Sequence, residues 1–382
     1  MVYFDNAATT YPKPEEVYSY MNKFYRESGV NVGRGQYKMA SYASNVLEET
    51  KSLLKELLVC YNKEIVFTSS ATEALNIVLR GLEWINGANV YITPFEHNSV
   101  LRVLYYLESI YDLNIKELSV NKITLEYEME KIRYDFQENK PNVVIVSHAS
   151  NMCGLIAPIK EICDLAKIYD STTIIDMSQT AGLIPTDLSK IKTDYTIFAA
   201  HKTLYGSFGL GGIILNRNAK LKPFLYGGAG IDSASKDVPE TIPEKFEIGS
   251  QNIQAIAALN ASLKWINKIG IGNIYIKEIT NTQKLVELLC RYENTKIIGY
   301  KDKNHNIGVI SCIFEGYSSD NIGQVLNECD IAVRTGLHCA PLAHKFFGTF
   351  PGGTVRFSLG YFNDDEDVNK LKEALDYIEL YG

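Results

Sequence analysis

From about residue 40 to residue 220, the sequence alternates between helical periodicity and short apolar runs. Apolar runs of this length, bounded by turn residues, are typical of strands that are buried on both faces. The strand candidates are residues 64–68, 89–93, 142–147, 172–176, 195–199 and 212–216, and the helices between them include residues 41–59 and 158–169. This alternation predicts an α/β fold in which crossover helices connect the strands of a mainly parallel sheet.

The domain organisation follows from chain length and from one long loop. A chain of 382 residues is long enough for two domains. Residues 225–252 contain four glycines and two prolines, and a loop of that length inside a compact protein usually has a function or forms an interface. We expect a large domain at residues 1–252 and a smaller α+β domain at residues 253–382. Whether residues 1–15 pack on the smaller domain is left open.

The elements expected in the smaller domain alternate between helices and strands. They are helices at residues 253–269, 281–292 and 318–329, strands at 307–314 and 354–358, a loop at 334–345 and a final helix.

Composition argues against several classes of partner. The formal net charge of −7 gives no electrostatic reason to expect nucleic acid or an anionic membrane as the main partner. The 7 cysteines form no CxxC pair, so neither a disulfide framework nor a metal site is expected. The N-terminus lacks a basic region followed by an apolar stretch, and no apolar run reaches the ~18 residues of a membrane span. We therefore expect a cytoplasmic protein that acts on a small molecule.

Polar residues follow the strand candidates, at the edge where an open α/β sheet binds its ligands. Residues 70–72 (SAT) open a helix whose N–H groups could bind a phosphate, although plain helix capping explains the same residues. Asp176 ends one strand and Lys202 follows another. Pyridoxal phosphate needs an aspartate at its pyridine nitrogen and a lysine for its Schiff base, whereas a structural ion pair is the alternative. With His97 as a ring that could stack on the cofactor, the set favours pyridoxal phosphate.

Two more residues are candidates for chemistry. Cys339 lies in VRTGLHCAPLAH, in polar, glycine-containing surroundings that predict a loop, where a free thiol can act as a nucleophile. Inert burial is the alternative, and we assign the other cysteines to packing. Arg356 lies inside an otherwise apolar strand, so its charge needs a partner. A substrate carboxylate would bind it in bidentate fashion, and an acidic residue of the fold is the alternative.

Four motifs carry a resemblance to a known family over nearly the whole chain. They are FDNAATT near the N-terminus, AAHK around Lys202, FEIGSQN at residues 246–252 and RTGLHCAPL around Cys339. These motifs resemble the class V aminotransferase family of fold-type I pyridoxal-phosphate enzymes. Within that family the chain is similar to the group II cysteine desulfurases, which have a short RTGHHCA-type loop. The resemblance implies a PLP-dependent transferase fold of type I, with a large domain and a smaller C-terminal domain that carries the cysteine loop.

The resemblance implies a function and partners. The chain would convert L-cysteine to L-alanine with pyridoxal 5′-phosphate as cofactor and leave a persulfide on Cys339. It would act as a homodimer, and a sulfur-acceptor protein, for example in iron–sulfur cluster assembly, would take the sulfur. The alternatives are a selenocysteine lyase acting on L-selenocysteine, a class V aminotransferase, and a catalytically silent homologue that binds a partner.

Roles for individual residues also come from the resemblance. Lys202 would bind the cofactor covalently, Asp176 would pair with its pyridine nitrogen, and Gln179 would hydrogen-bond its ring hydroxyl. The remaining cofactor contacts are implied for His97, Ala71, Thr72, His201, Asn151 and, from a second subunit, Ser250. The catalytic residues would be Lys202, Cys339 and His97, and the substrate-binding residues would be Arg356, Asn151 and Arg34.

The chain departs from the family pattern at three places. Leu337 replaces the first of two histidines before the cysteine, and Ala199 and Ala200 precede His201 where the family usually has a serine. The phosphate loop reads SATEA at residues 70–74 instead of GTTEG. These changes remove hydroxyl groups from the phosphate site and alter the surroundings of Cys339.

Overall fold

The computed structural model describes residues 1–32, 35–231 and 234–381. In chain order the strands are β1 (Val2–Tyr3), β2 (Glu64–Thr68), β3 (Asn89–Ile92), β4 (Asn114–Glu117), β5 (Val143–Ser147), β6 (Thr172–Asp176), β7 (Tyr195–Ala199), β8 (Gly211–Leu215), β9 (Thr295–Ile298), β10 (Val309–Phe314), β11 (Ile331–Ala332), β12 (Arg334–Gly336) and β13 (Thr354–Ser358).

Helices connect these strands. They are α1 (Glu15–Ser28), α2 (Lys38–Leu57), α3 (Ala71–Gly81), α4 (Asn98–Tyr111), α5 (Met129–Glu138), α6 (Ile159–Lys167), α7 (Ile253–Ile269), α8 (Ile271–Leu289), α9 (Ser319–Glu328), α10 (Pro341–Phe347) and α11 (Asp365–Tyr381), with a short 3₁₀ helix at Leu188–Lys190. Within the described ranges, no helix combines the length and the apolar content that crossing a membrane requires.

The central sheet has seven strands in the order β2-β8-β7-β6-β5-β3-β4. Strand β8 runs antiparallel to both of its neighbours, and the remaining pairs are parallel. The predicted α/β fold with a mainly parallel sheet is therefore confirmed. Strand β4 was not predicted because its sequence, NIKE, lies half-exposed at the edge of the sheet and has no apolar run.

Apolar side chains fill both faces of this sheet, as expected where helices cover a parallel sheet. On one face α2, α6 and α7 contribute Leu54, Ile162 and Leu259 to a single core. On the other face α3 and α4 contribute Leu75 and Leu104 to a second core. The sheet is thus held rigidly from both sides, and its strand ends are fixed positions for functional side chains.

The C-terminal part contains an antiparallel sheet in the order β12-β13-β10-β9. Its apolar face packs against α8, α9 and α11 through Leu285, Leu326 and Leu375. Helix α8 begins at Ile271, directly after Gly270, and is therefore much longer than the helix expected at residues 281–292. The stretch expected to be a loop, 334–345, contains β12 and the start of α10, with proline in the first turn of that helix.

The N-terminal residues pack on the C-terminal part. Strand β1 pairs in parallel with β11, and Phe4 lies in the core formed by α8, α9 and α11. Helix α7 contributes Ile256, Leu259 and Leu263 to the core of the central sheet. The division at residue 252 stays a prediction, and this packing favours placing the boundary after α7.

Candidate active site

A cavity of about 250 Å³ lies at the carboxyl ends of β5, β6 and β7. Of the residues that the sequence singles out, it is lined by Ala71, Thr72, His97, Asn151, Asp176, Gln179, His201, Lys202, Cys339 and Arg356. Ser250 is exposed and does not line this cavity, as expected if it serves a second subunit. Arg34 lies outside the described residues. The fold thus brings strand-end residues together with residues from the C-terminal part.

Asp176 and Lys202 come from the ends of neighbouring parallel strands, β6 and β7. Asp176 Oδ1 accepts a hydrogen bond from the Ser178 backbone N–H at 2.8 Å. The ion pairs among the described residues include none between Asp176 and Lys202, which argues against a purely structural pair. Burial lowers the pKa of Lys202 to about 8, although the Asp176 carboxylate acts in the opposite direction. A larger fraction of this lysine is thus neutral at physiological pH than of an ordinary lysine, and the neutral amine is the nucleophilic form.

This lowered pKa predicts how the apo-protein reacts with pyridoxal phosphate. The neutral amine is the reactive form, so the rate of covalent cofactor binding is expected to rise about tenfold per pH unit and to level off near pH 8. Rapid mixing of apo-protein with pyridoxal phosphate, followed by absorbance, measures this rate. In Asp176→Asn the levelling is expected at lower pH because the carboxylate that raises the lysine pKa is gone. A rate that still climbs through pH 10 would contradict the assignment of Lys202.

The N-terminus of α3 forms one end of the cavity. Ser70 caps the helix by accepting a hydrogen bond from the Glu73 N–H at 3.1 Å, and Glu73 in turn accepts from the Ser69 N–H at 2.6 Å. The capping interpretation of this segment is therefore correct for Ser70. Ala71 and Thr72 still line the cavity at the positive end of the helix dipole, where an anion is stabilised.

His97 caps helix α4 and lines the same cavity. Its Nδ1 accepts a hydrogen bond from the Ser99 N–H at 3.0 Å, so the ring orientation is fixed by the first turn of α4. Burial, and secondly the charge of Lys202, lowers the pKa of His97 to about 4. A neutral ring at physiological pH is suited to stacking on a cofactor ring, because no charge has to be desolvated.

The preceding residue, Glu96, is fully buried and connects two strand ends. Its carboxylate accepts hydrogen bonds from the Thr93 hydroxyl, the Ser147 N–H and the Ser147 hydroxyl, each at 2.7 Å. Burial raises the pKa of Glu96 to about 7. These bonds tie the loop after β3 to the end of β5 and thereby hold His97 over the cavity.

The N-terminal segment holds the loop that carries Lys202. The Thr9 hydroxyl donates to the His201 carbonyl at 2.8 Å, and the Thr10 hydroxyl donates to the Lys202 carbonyl at 3.0 Å. Lys13 Nζ donates to the His201 carbonyl at 2.6 Å. The backbone at Lys202 is thus positioned by residues that precede it by almost two hundred positions in the chain.

Cys339 is exposed and lies on a strained turn between β12 and α10. His338 and Cys339 both have left-handed backbone conformations, with φ of 47° and 56°. Such conformations cost energy in residues other than glycine and persist where the surroundings hold them. Here Asn151 Nδ2 donates to the His338 carbonyl at 2.6 Å, and the Asn98 N–H donates to the Cys339 carbonyl at 2.7 Å. The backbone that carries the thiol is thus held by residues that follow strands of the central sheet.

Close packing of two glycines supports the base of this turn. A Cβ on Gly353 would lie 2.5 Å from the carbonyl carbon of Gly336, and Gly353 has a φ of 73°. Only glycine allows β12 and the start of β13 to approach this closely. Gly336 itself has a φ of 90°, which is likewise a conformation that glycine adopts without strain.

Arg356, in the middle of β13, is buried and lines the cavity. Its Nη2 donates to Asp5 Oδ1 at 2.6 Å, and its Nη1 donates to the Asn151 carbonyl at 2.9 Å. Pairing with an acidic residue of the fold, the alternative considered from the sequence, is therefore present. The arginine nevertheless faces the cavity, so the fold partner does not exclude a second, substrate partner.

Several residues of the site were not predicted from the sequence. The cavity is also lined by Ala7, Ala8, Ser99, Ser147, Ala149, Ser178, Ala199, Arg334 and His338, in addition to Ser70 from the predicted phosphate-binding segment. Most are small residues next to predicted ones, and neighbourhood in sequence could have found them. The FDNAATT motif marks the N-terminal segment, but its position beside this cavity could not be predicted, because Asp5 and Thr9 contact residues that follow them by about two hundred positions or more.

The residues present fit pyridoxal phosphate. His201 Nδ1 and Ser178 Oγ are buried and have no hydrogen-bond partner among the described residues, and both side chains line the cavity. Together with a lysine, a strand-end aspartate and a helix N-terminus, they match the aldehyde, pyridine nitrogen and phosphate of that cofactor. A mainly parallel sheet with this donor set at its carboxyl edge defines the class of pyridoxal-phosphate-dependent enzymes.

Comparison with known proteins assigns the family. The chain belongs to the family Aminotransferase class-V, whose model matches residues 2–371. A protein named "Probable cysteine desulfurase" from Methanothermobacter thermautotrophicus is 30% identical, with 100% of this chain and 95% of that protein covered. One of the same name from Pyrococcus abyssi is 29% identical, with 98% and 94% covered. The resemblance seen in the motifs is thereby confirmed at the level of the family.

A solved structure has the same fold. The apo structure of a cysteine desulfurase from Thermococcus onnurineus superimposes with a TM-score of 0.92 at 27% identity, covering 99% of this chain and 94% of that one. The similarity therefore includes both the central sheet and the C-terminal part.

Proposed function

We propose that this protein is a pyridoxal-phosphate-dependent cysteine desulfurase that converts L-cysteine to L-alanine. The observation that carries the proposal is the position of Cys339, an exposed thiol on the wall of the cavity that also contains Lys202 and Asp176. A class V aminotransferase has no need of a thiol at this position. The relatives named as cysteine desulfurases, similar over the full chain, support the same function.

Each residue of the cavity has a role in this proposal. Lys202 binds the cofactor and, once released from it, moves a proton at the substrate Cα, while Asp176 stabilises the protonated pyridine nitrogen. When bound, the cofactor supplies a ring that accepts electrons from the substrate. The remaining roles are the phosphate contacts of Ala71, Thr72 and His201, the ring contacts of His97, Gln179 and Asn151, and the substrate carboxylate contact of Arg356 with Asn151 and Arg34.

Cys339 removes the sulfur. Its thiolate attacks the sulfur of L-cysteine, a new S–S bond forms, and the Cβ–S bond breaks with its electron pair going to carbon. A proton then completes L-alanine, and Cys339 is left as a persulfide. No external oxidant is needed, because the two electrons that the transferred sulfur loses are gained by the substrate Cβ. A thiol acceptor or a reductant restores Cys339.

We also propose a homodimer in which Ser250 of a second copy completes the phosphate site. Ser250 is exposed and lies near the end of a long segment, residues 216–252, whose described part has neither helix nor strand. Such a segment on one copy can reach the α3 N-terminus of another, where Ala71 and Thr72 leave room for a further hydroxyl. The sulfur acceptor, protein or small thiol, approaches Cys339 at the exposed side of the turn.

The experiment that tests the function is a product assay on the purified holoenzyme. With L-cysteine and a reductant, equal amounts of L-alanine and sulfide are expected. Conversion of the cofactor to its amine form, with keto-acid product, would identify an aminotransferase instead. A protein that shows no cofactor absorbance after addition of pyridoxal phosphate would be a silent homologue, and a strong preference for L-selenocysteine would identify a selenocysteine lyase.

A further inference from the structure

Asp5 lies between the two arginines of the cavity wall. Its Oδ1 accepts a hydrogen bond from Arg356 Nη2 at 2.6 Å, and its Oδ2 is 3.8 Å from Arg334 Nη1. Two guanidinium groups and one carboxylate leave a single positive charge in this cluster. This net positive charge equals in size the negative charge of one substrate carboxylate. The cluster can therefore attract the carboxylate of an amino acid, and binding it would leave the cluster neutral.

The backbone of Asp5 is held firmly, so its carboxylate is a fixed reference point. The Asp5 carbonyl accepts hydrogen bonds from the Ala8 N–H at 3.1 Å and from the Tyr3 hydroxyl at 3.2 Å. Asp5 also forms a parallel bridge to Ser358, two residues after Arg356 on the same strand. The backbones of Asp5 and Arg356 are therefore held in a fixed relative position, as accurate positioning of a binding group requires.

Arg356 has two of its nitrogens held and one without a partner. Nη2 donates to Asp5 and Nη1 to the Asn151 carbonyl, whereas Nε is buried and has no hydrogen-bond partner among the described residues. The side chain is 2% exposed. A buried N–H without a partner is costly, and a ligand carboxylate is the group that a planar guanidinium edge binds best.

We propose that Asp5 is a positioning residue, which fixes the guanidinium plane of Arg356 so that its Nε edge receives the substrate carboxylate. The inference rests on the proposed function, in which Arg356 binds that carboxylate. It adds a residue from the N-terminal segment to substrate recognition. An opposite role, in which Asp5 competes with the substrate for Arg356, predicts the opposite sign of effect.

The test is the Asp5→Asn holoenzyme. Without the carboxylate the guanidinium is free to turn, so KM for L-cysteine is expected to rise about tenfold while kcat stays within about threefold. Affinity for L-alanine, followed by the change in cofactor absorbance, is expected to fall about tenfold as well. Affinity for L-alaninamide, which lacks the carboxylate, is expected to change less than about twofold. Asp5→Glu keeps the charge and is expected to recover part of the loss.

Matched controls separate the outcomes. Asp365→Asn removes a carboxylate that pairs with Lys284 on the exposed surface and is expected to leave every value unchanged. A lower KM in Asp5→Asn would overturn positioning in favour of competition, and an equal loss of affinity for L-alanine and L-alaninamide would reduce Asp5 to a structural role. If Asp5→Asn does not fold, the same comparison in Asp5→Glu decides. Failure of the proposed function would be distinguishable from failure of this inference, because the wild-type protein itself would then release no L-alanine.

Discussion

Replacing Lys202 by alanine is expected to lower the rate of L-alanine formation from L-cysteine by at least about 1,000-fold, because in the proposed function this side chain both binds the cofactor and moves the substrate proton. Burial lowers the pKa of Lys202 to about 8 and so favours the neutral amine. Hydrogen bonds from Thr9 and Thr10 hold the backbone carbonyls of the loop that carries it. The absorbance of covalently bound cofactor should disappear in the same variant. Steady-state kinetics and absorbance spectra measure both effects.

The control for this variant is Lys192→Ala. Lys192 lies on the surface, 3.4 Å from Asp164, and the ion pair is exposed, so its loss is expected to change neither rate nor spectrum measurably. Circular dichroism shows whether Lys202→Ala is folded. A folded Lys202→Ala protein with more than about a tenth of wild-type activity would remove Lys202 from the chemistry.

Replacing Cys339 by alanine is expected to lower L-alanine formation from L-cysteine by about 100-fold, since no nucleophile remains to take the sulfur. Cofactor absorbance should be unchanged, because Lys202 and Asp176 belong to other elements. L-selenocysteine is the informative second substrate. Its weaker carbon–selenium bond needs less assistance, so its conversion is expected to fall much less than that of L-cysteine.

Cys329→Ala is the matched control for the cysteine. Cys329 was expected to be a packing residue, but like Cys290 it is exposed in the structure, at the end of α9 and away from the cavity. Its replacement is expected to leave both substrates unaffected. If Cys339→Ala turned over L-cysteine at the wild-type rate, the sulfur would leave by another route and the proposed role of Cys339 would be wrong.

The sequence predicts the central sheet well because buried parallel strands are nearly continuous apolar runs. Strands β2, β6 and β7 begin and end at the predicted residues. The rule that ligands bind at the carboxyl ends of such strands then selected Asp176 and Lys202, which line one cavity. Local pattern and one topological rule are sufficient for this part of the site.

Other features could not be predicted, because they depend on contacts between distant parts of the chain. The pairing of Asp5 with Arg356 joins residues near opposite ends of the sequence, and nothing in the sequence around either residue identifies the other as its partner. Two elements were missed in whole or in part for local reasons instead: edge strand β4 lacks an apolar run, and only Gly270 separates helix α8 from α7. The left-handed turn at Cys339 depends on hydrogen bonds from Asn98 and Asn151, which no pattern near the cysteine reveals.

The proposed function depends on transfer of the L-cysteine sulfur to Cys339. Its most direct test is mass spectrometry of the holoenzyme after a single turnover with L-cysteine and no reductant, with L-alanine measured in the same sample. The expected result is one added sulfur atom on the peptide that contains Cys339, in an amount equal to the L-alanine released. L-alanine formed without added sulfur on Cys339, or with the sulfur on another cysteine, would contradict this role of Cys339.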